Sequence, residues 1–344
     1  YNAARSPVCA SNMVATSQPL ATQAGIDALR RGGNAVDAVL AAAITLTVVE
    51  PNNNGLGSDA FAILWDGEAL VGLNASGRAP ELMTADRYAG MDEMPTLGWG
   101  AVTVPGAVSA WTALSERYGQ LPFADLFDAA IGYARDGFQV GPKTAYYWKL
   151  AEQTYAGYPD FAEHFLPVPA AGERFLRPDL AASLEQIADT RGAAFYQGEL
   201  AEAMAAAAER EGGALRLADL ANHRADWVRP IAQDYGPVAL HEIPPNGQGL
   251  AAQIALALLA EAGPAAFDSV EGVHRQIECM KIAIRAAFDH FADPEAMTLT
   301  PEELLGAQSI APAAASIGRE ARNLPPVALP VGRDTVYLCA ADAD

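Results

Sequence analysis

Residues 35–49, Ala-Val-Asp-Ala-Val-Leu-Ala-Ala-Ala-Ile-Thr-Leu-Thr-Val-Val, constrain this chain more than any other stretch. The run carries one charged side chain, Asp37, and is apolar nearly all round. A helix of that kind cannot lie on a surface and must be covered on several sides. It is shorter than the ~20 residues a membrane span needs, so it belongs inside a globular body. Asn34 stands where an N-cap is required, and Glu50-Pro51 closes the helix. A second helix precedes it. Pro19 opens that helix, Arg30 and Arg31 place cations in its last turn, and Gly32-Gly33 stops it.

The rest of the chain is large enough to provide the cover. It has 344 residues, 51% of them hydrophobic, which suits one large domain or two ordinary ones. With 22 basic and 42 acidic residues the net charge is −20. Such a field excludes nucleic acid and anionic membranes as partners. A small anionic substrate would need a local cationic site. Cys9, Cys279 and Cys339 are far apart, so neither a disulfide framework nor a structural zinc site is expected, and buried reduced thiols are the simplest account. The five histidines lack ligand spacing, and Asp289, His290 and Asp293 read as the solvated end of a helix, so no metal or other cofactor is expected. Residues 1–7 lack the apolar core of a signal peptide, which makes the cytoplasm the default, with a periplasmic or secreted site if a signal has been removed.

Taken in order, residues 8–14 read as a first strand. Residues 52–59, Asn-Asn-Asn-Gly-Leu-Gly-Ser-Asp, form a polar loop before a hairpin of strands 60–65 and 69–74 around Asp66-Gly67. Gly55, Gly57 and Ala60 match a dinucleotide fingerprint in spacing alone; no strand precedes and no helix follows, which excludes it. Ser76-Gly77-Arg78-Ala79-Pro80 comes next, and the small neighbours of Arg78 leave room for a ligand carboxylate. Residues 98–106 read as extended, followed by helices over 107–118 and 124–135. Residues 142–169 are aromatic and partly helical, without a motif. Helices follow at 180–189 and 199–209, then strands at 227–231 and 238–243. The loop Pro244-Pro245-Asn246-Gly247-Gln248-Gly249 enters a helix over 250–261 and is either an anion site or a plain tight turn. A long helix spans 270–291.

Residues 324–330 are too rich in proline for helix and read as an exposed connector. Residues 336–341 read as a short buried strand. Thr335 therefore stands where a linker becomes core. A threonine there is ordinarily just a β-former. It becomes a nucleophile if the bond before it is cut, because its new α-amine then lies within reach of its own hydroxyl and can take the proton.

Several stretches together resemble the γ-glutamyltransferase family of N-terminal-nucleophile hydrolases. They are Val14-Ala15-Thr16-Ser17-Gln18-Pro19-Leu20-Ala21, Gly32-Gly33-Asn34-Ala35-Val36-Asp37-Ala38, Val104-Pro105-Gly106-Ala107-Val108, Arg117-Tyr118-Gly119-Gln120-Leu121-Pro122-Phe123, Ala134-Arg135-Asp136-Gly137-Phe138, Gly212-Gly213, the loop from Pro244 to Gly249, and Asp334-Thr335-Val336-Tyr337. They stand in the family's order and cover nearly the whole chain. The resemblance implies an α+β fold, a four-layer αββα sandwich, of which this chain holds the helix-rich large-subunit portion. It implies self-cleavage between Asp334 and Thr335, so that residues 1–334 form the large-subunit region and 335–344 begin the small one. Thr335 would then attack γ-glutamyl amides such as glutathione and pass the acyl group to water or an amino acid. Its partners would be that small amide substrate and its own small subunit, with further dimerisation open.

Two departures stand out. Glutathione-processing members carry an Arg that grips the substrate α-carboxylate where this chain has Ser76. Arg78 is the nearby cation here, as in the branch with proposed cephalosporin acylases. The family's Phe-Ala-Asp-Arg segment is replaced by Ile284-Arg285-Ala286-Ala287, losing a polar pair. The alternatives are an acylase for glutaryl or cephalosporin-type amides, and an unprocessed scaffold or binding protein.

Overall fold

A computed structural model describes residues 8–323 and 335–343. The chain divides into two compact units, residues 1–60, 75–225 and 331–344 in the first and 61–74 and 226–330 in the second.

The first unit is built on the helix Ala35–Val49, most of whose residues are buried. It packs against the helices Pro19–Arg30, Ala107–Tyr118 and Asp128–Asp136 and against the strand Cys339–Ala341, the several-sided cover its composition demands. Contact with Pro19–Arg30 is close because of Gly25. A Cβ there would stand 2.8 Å from the Ala38 carbonyl and 2.9 Å from Val14 Cγ1.

The start of the central helix is held by a reciprocal cap. Asp37 N donates to Asn34 Oδ1 at 3.0 Å, and Asn34 N donates to Asp37 Oδ2 at 3.0 Å. The same carboxylate oxygen accepts from the backbone N–H groups of Gln120 and Leu121 at 2.9 and 3.2 Å. Asp37 is fully buried, so its charge is held by backbone dipoles that also fix the end of the helix Ala107–Tyr118.

The strand Met13–Ala15 pairs antiparallel with Cys339–Ala341, with Val14 opposite Ala340. Val14 turns inward onto Ala38 and Ala42. Both strands are shorter than expected. The expected strand over 336–341 forms only at Cys339–Ala341 and is not buried: its residues alternate exposed and half-buried, since among the described strands only Met13–Ala15 pairs with it. The helix expected over 124–135 starts as a 3₁₀ turn, Phe123–Phe127, and continues as α-helix over Asp128–Asp136. Phe127 lies between Trp111 and Phe123, with edge-to-face rings 6.2 and 5.0 Å away. The extended segment expected at 98–106 contains a 3₁₀ turn at Trp99–Ala101. The aromatic region resolves into the helices Pro142–Tyr155 and Pro159–Phe165, with Trp148 buried against Phe165 and Phe175.

In the second unit, the strand Leu70–Ala75 lies between Ala60–Trp65 and Asp226–Val228. The Asp66 carboxylate closes the first turn by accepting from Glu68 N and Ala69 N, with Gly67 at φ +94°. The single strand expected over 227–231 is two. Pro230 has no N–H to donate, and the chain leaves Asp226–Val228 to begin a separate hairpin, Ile231–Tyr235 with Val238–Glu242. Buried Gln253 ties that hairpin to the helix Gly249–Glu261 by donating to the Ile231 and Leu240 carbonyls at 2.9 and 3.0 Å. That helix and Val270–His290 share a core with Leu304 and Ile310. Arg285 bridges to Asp289 one turn on, and Lys281 donates to buried Glu278 at 2.7 Å. Glu278 also accepts from Arg322 N at 3.2 Å, and Lys281 Nζ donates to the Arg322 carbonyl at 2.9 Å.

The cysteines correct an expectation. Cys279 is buried, but Cys9 and Cys339 are exposed. Burial pushes the Cys279 thiol up to about 11. In the native protein at pH 8, a thiol reagent should therefore leave Cys279 unreacted until denaturant is added. Mass spectrometry of the labelled peptides checks this.

Candidate active site

The polar loop after the central helix is held in place by that helix. Glu50, its C-cap residue, is buried at 4% exposure. A carboxylate at a helix C-terminus opposes the helix dipole, so it needs donors of its own. Asn53 Nδ2 donates to Glu50 Oε1 at 2.6 Å, and the Ser17 hydroxyl donates to Oε2. Asn54 Nδ2 donates to the Leu46 and Glu50 carbonyls at 3.1 and 3.0 Å, closing the helix's last turn. Asn52 Nδ2 donates to Asn53 Oδ1 at 2.9 Å, so both ends of the Asn53 amide are engaged. At the far end of the loop the Ser58 carbonyl accepts from Gly106 N and Ala107 N at 3.1 and 2.9 Å.

Thr335 is exposed and lies on an open cleft of about 500 Å³. The cleft is lined by Thr335, Asn53 and one face of the helix Pro142–Tyr155, namely Lys143, Tyr146, Tyr147 and Leu150. Their three- and four-residue spacing places these side chains on the same side of the helix. Lys143 is the one cation among the described lining residues, 6.0 Å from the centre of the Tyr147 ring. It sits in the first turn of its helix, against the dipole preference, and its charge faces the cleft inside a strongly acidic protein.

A second recess, of about 330 Å³, adjoins the first. Trp148, Tyr155, Phe161 and Phe165 line it together with Asn52 and Asn54. Asn53 borders both cavities.

The segment after Thr335 is tied to the rest of the first unit. Beyond the pairing of Cys339–Ala341, the Asp342 carboxylate accepts from Ala35 N at 2.5 Å, filling one of the orphan donors at the start of the central helix.

The other expected site residues lie elsewhere. Arg78 is exposed and Ser76 half-buried, and neither is among the described lining residues of the Thr335 cleft. Their loop is tied down by Val104 N donating to the Arg78 carbonyl at 3.0 Å. Gly77 has φ +77°, and its Cα faces the Val104 carbonyl so closely that any side chain would collide. Asp334 lies outside the described residues, as does the proline-rich connector at 324–330. At the loop ending in Gly249, the chain's own Glu242 carboxylate stands against Gly249 where the helix begins, which favours the tight-turn reading over an anion site. Burial pushes the Glu242 carboxyl up from its ordinary value.

Sequence reasoning missed Lys143, Tyr146 and Tyr147, and read Asn53 only as part of a polar loop. The helical spacing from Lys143 to Leu150 was available. Which face of that helix meets Thr335 was not.

The structure is that of an α+β protein with the fold of the N-terminal-nucleophile hydrolases. Comparison with known proteins gives the family: residues 21–344 match the family model described as gamma-glutamyltranspeptidase, and the chain belongs to that family. It is 33% identical to the glutathione hydrolase-like YwrD proenzyme of Bacillus subtilis (strain 168), over 99% of this chain and 66% of that protein. It is 34% identical to the oxamate amidohydrolase proenzyme of Klebsiella pneumoniae, over 91% of this chain and 61% of the relative. The crystal structure of a cephalosporin acylase from Bacillus halodurans superposes with a TM-score of 0.93 at 42% identity, covering 100% of this chain and 66% of that one. The chain thus spans just under two thirds of these relatives' length. Among its described residues, no helix is long and apolar enough to cross a membrane.

The dependence of the loop on Glu50 can be measured. Glu50→Ala removes the acceptor for both Ser17 and Asn53 and should lower stability by about 2–3 kcal/mol, read from urea unfolding.

Proposed function

We propose that this protein is an autoprocessing amide hydrolase or acyltransferase that uses Thr335 as its nucleophile, with γ-glutamyl amides as the first substrate class to test. The observation that carries the reading is Thr335 on an open cleft at the start of a segment anchored to the central helix. Family membership supports it, as does the word proenzyme in the names of two relatives.

The chemistry follows from the position. In the uncut chain the nitrogen of Thr335 is an amide, which has no basic lone pair to offer. Cleavage between Asp334 and Thr335 turns it into an α-amine, whose ordinary pKa of about 7.7–8.0 suits a base near neutral pH. That amine takes the hydroxyl proton as Oγ bonds to the substrate carbonyl carbon. The proton then goes to the departing amine as the C–N bond breaks, leaving an ester on Thr335. Water or an amino acid attacks the ester and gives its proton to the α-amine, which returns it to Oγ as the acyl–Oγ bond breaks and the acyl product leaves. Residues 1–334 and the piece headed by Thr335 form two subunits that work as one enzyme.

An acylase for glutaryl or cephalosporin-type amides is the second reading. Ser76, standing where glutathione-processing members carry an Arg, favours it, and so does the likeness to the Bacillus halodurans acylase. In either case Arg78 is the proposed carboxylate contact, with Ser76 beside it.

The deciding experiment is a denaturing gel beside an activity assay. Wild-type protein should run as two fragments and turn over γ-glutamyl or glutaryl anilide. Thr335→Ala should stay one band without turnover. A wild-type protein that remains one band after long incubation would be a scaffold instead. Separately, Arg78→Ala should raise KM for carboxylate-bearing substrates roughly 10- to 150-fold, the value of a charge-assisted hydrogen bond. An unchanged KM across such substrates removes Arg78 from the site.

A further inference from the structure

The recess beside the Thr335 cleft differs from the cleft in its density of aromatic rings. Four aromatic side chains line it: Trp148 and Tyr155 from the helix Pro142–Tyr155, and Phe161 and Phe165 from Pro159–Phe165. Asn52, Asn53, Asn54 and Ser58 are among its other lining residues, so the recess offers ring faces to stack on together with polar groups.

The rings are already arranged to receive something flat. Phe161 and Phe165 stack with centroids 5.4 Å apart, Trp148 meets Phe165 edge-on at 5.9 Å, and Tyr155 lies 5.6 Å from Phe161. Arg177 covers the Phe165 ring at 5.0 Å. Side chains that hold one another in place lose little freedom when a ligand enters. At about 330 Å³ the recess exceeds twice the ~150 Å³ cavity known to hold a benzene ring. The wall shared with the Thr335 cleft is Asn53, whose amide is held on both sides by Glu50 and Asn52. A molecule with its carbonyl at Thr335 therefore has a preformed aromatic recess next to it, across a rigid side chain.

We infer that this recess is a subsite for an aromatic or heteroaromatic ring of the substrate, so that the enzyme's amides carry such a ring on one side of the scissile bond. The inference rests on the reading of Thr335 as the nucleophile. It narrows the substrate class from amides in general to aryl-bearing amides.

Two variants change the recess in opposite ways. Phe161→Ala removes a ring, and Ala151→Phe fills the space, since Ala151 also lines it. Each is assayed in the full-length processed protein on two matched pairs of amides. One pair differs by phenyl against propyl in the amine, the other by phenyl against propyl in the acyl group. In at least one pair, both variants should lower the phenyl-to-propyl ratio of kcat/KM about tenfold while the propyl compound stays within twofold. A ratio that stays constant in both pairs, or phenyl and propyl compounds that decline together, overturns the subsite.

Binding separates this outcome from failure of the nucleophile. Phenylacetate, followed by ligand-observed NMR, should bind Thr335→Ala as it binds wild type and should bind Ala151→Phe at least tenfold more weakly. If Thr335→Ala still turns over substrate, the nucleophile assignment fails, and phenylacetate binding still decides the recess on its own. No weakening in Ala151→Phe overturns the subsite whatever the kinetics show.

Discussion

The helix Ala35–Val49 is tied at both of its ends, and the rest of the first unit depends on those two junctions. At its N-terminus an orphan backbone donor, Ala35 N, is satisfied by Asp342, a residue from the segment that Thr335 heads. At its C-terminus the buried Glu50 carboxylate gathers Ser17 and Asn53, and so shapes the loop that borders both cavities. Neither junction would hold if the helix could shift. Its apolar circumference prevents that, because neighbours enclose it on several sides and one of them is the strand that follows Thr335.

The acidic background makes the placement of Lys143 informative. A protein with a net charge of −20 repels anions from most of its surface, yet this cleft presents a cation at a helix start, where the dipole disfavours one. The recess that shares Asn53 adds four aromatic side chains beside Asn52, Asn54 and Ser58. The aromatic subsite draws on those rings, the acylase reading on Ser76 and the likeness to the Bacillus halodurans acylase, and the γ-glutamyl reading on family membership.

The second unit shows how a local pattern can suggest a ligand site that the chain itself occupies. A glycine-containing loop that opens a helix exposes backbone donors able to take an anion. Here Glu242, at the end of the preceding strand, already stands against the helix start. In the same unit Lys281 and buried Glu278 together hold the Arg322 backbone, and Arg285 pairs with Asp289.

Much of this was legible in one dimension, for physical reasons. Periodicity and capping are local, so the helices Pro19–Arg30, Ala35–Val49 and Ala107–Tyr118 could be read directly, as could the Asp66-Gly67 turn. Strand limits at 227–231 and 336–341 were less accessible, since a strand ends where its partner ends and the partner is distant in sequence. Burial of the cysteines failed on the same ground: Cys339 lies on a strand whose cover depends on what pairs with it. The order of residues by itself determined the family, the enclosed central helix and the candidacy of Thr335, because each rests on neighbours along the chain. Only the tertiary structure decided that Lys143 and Asn53 share a cleft with Thr335 and that four aromatic rings stand beside them, because side chains far apart in sequence meet only when packing selects which helix faces turn toward each other.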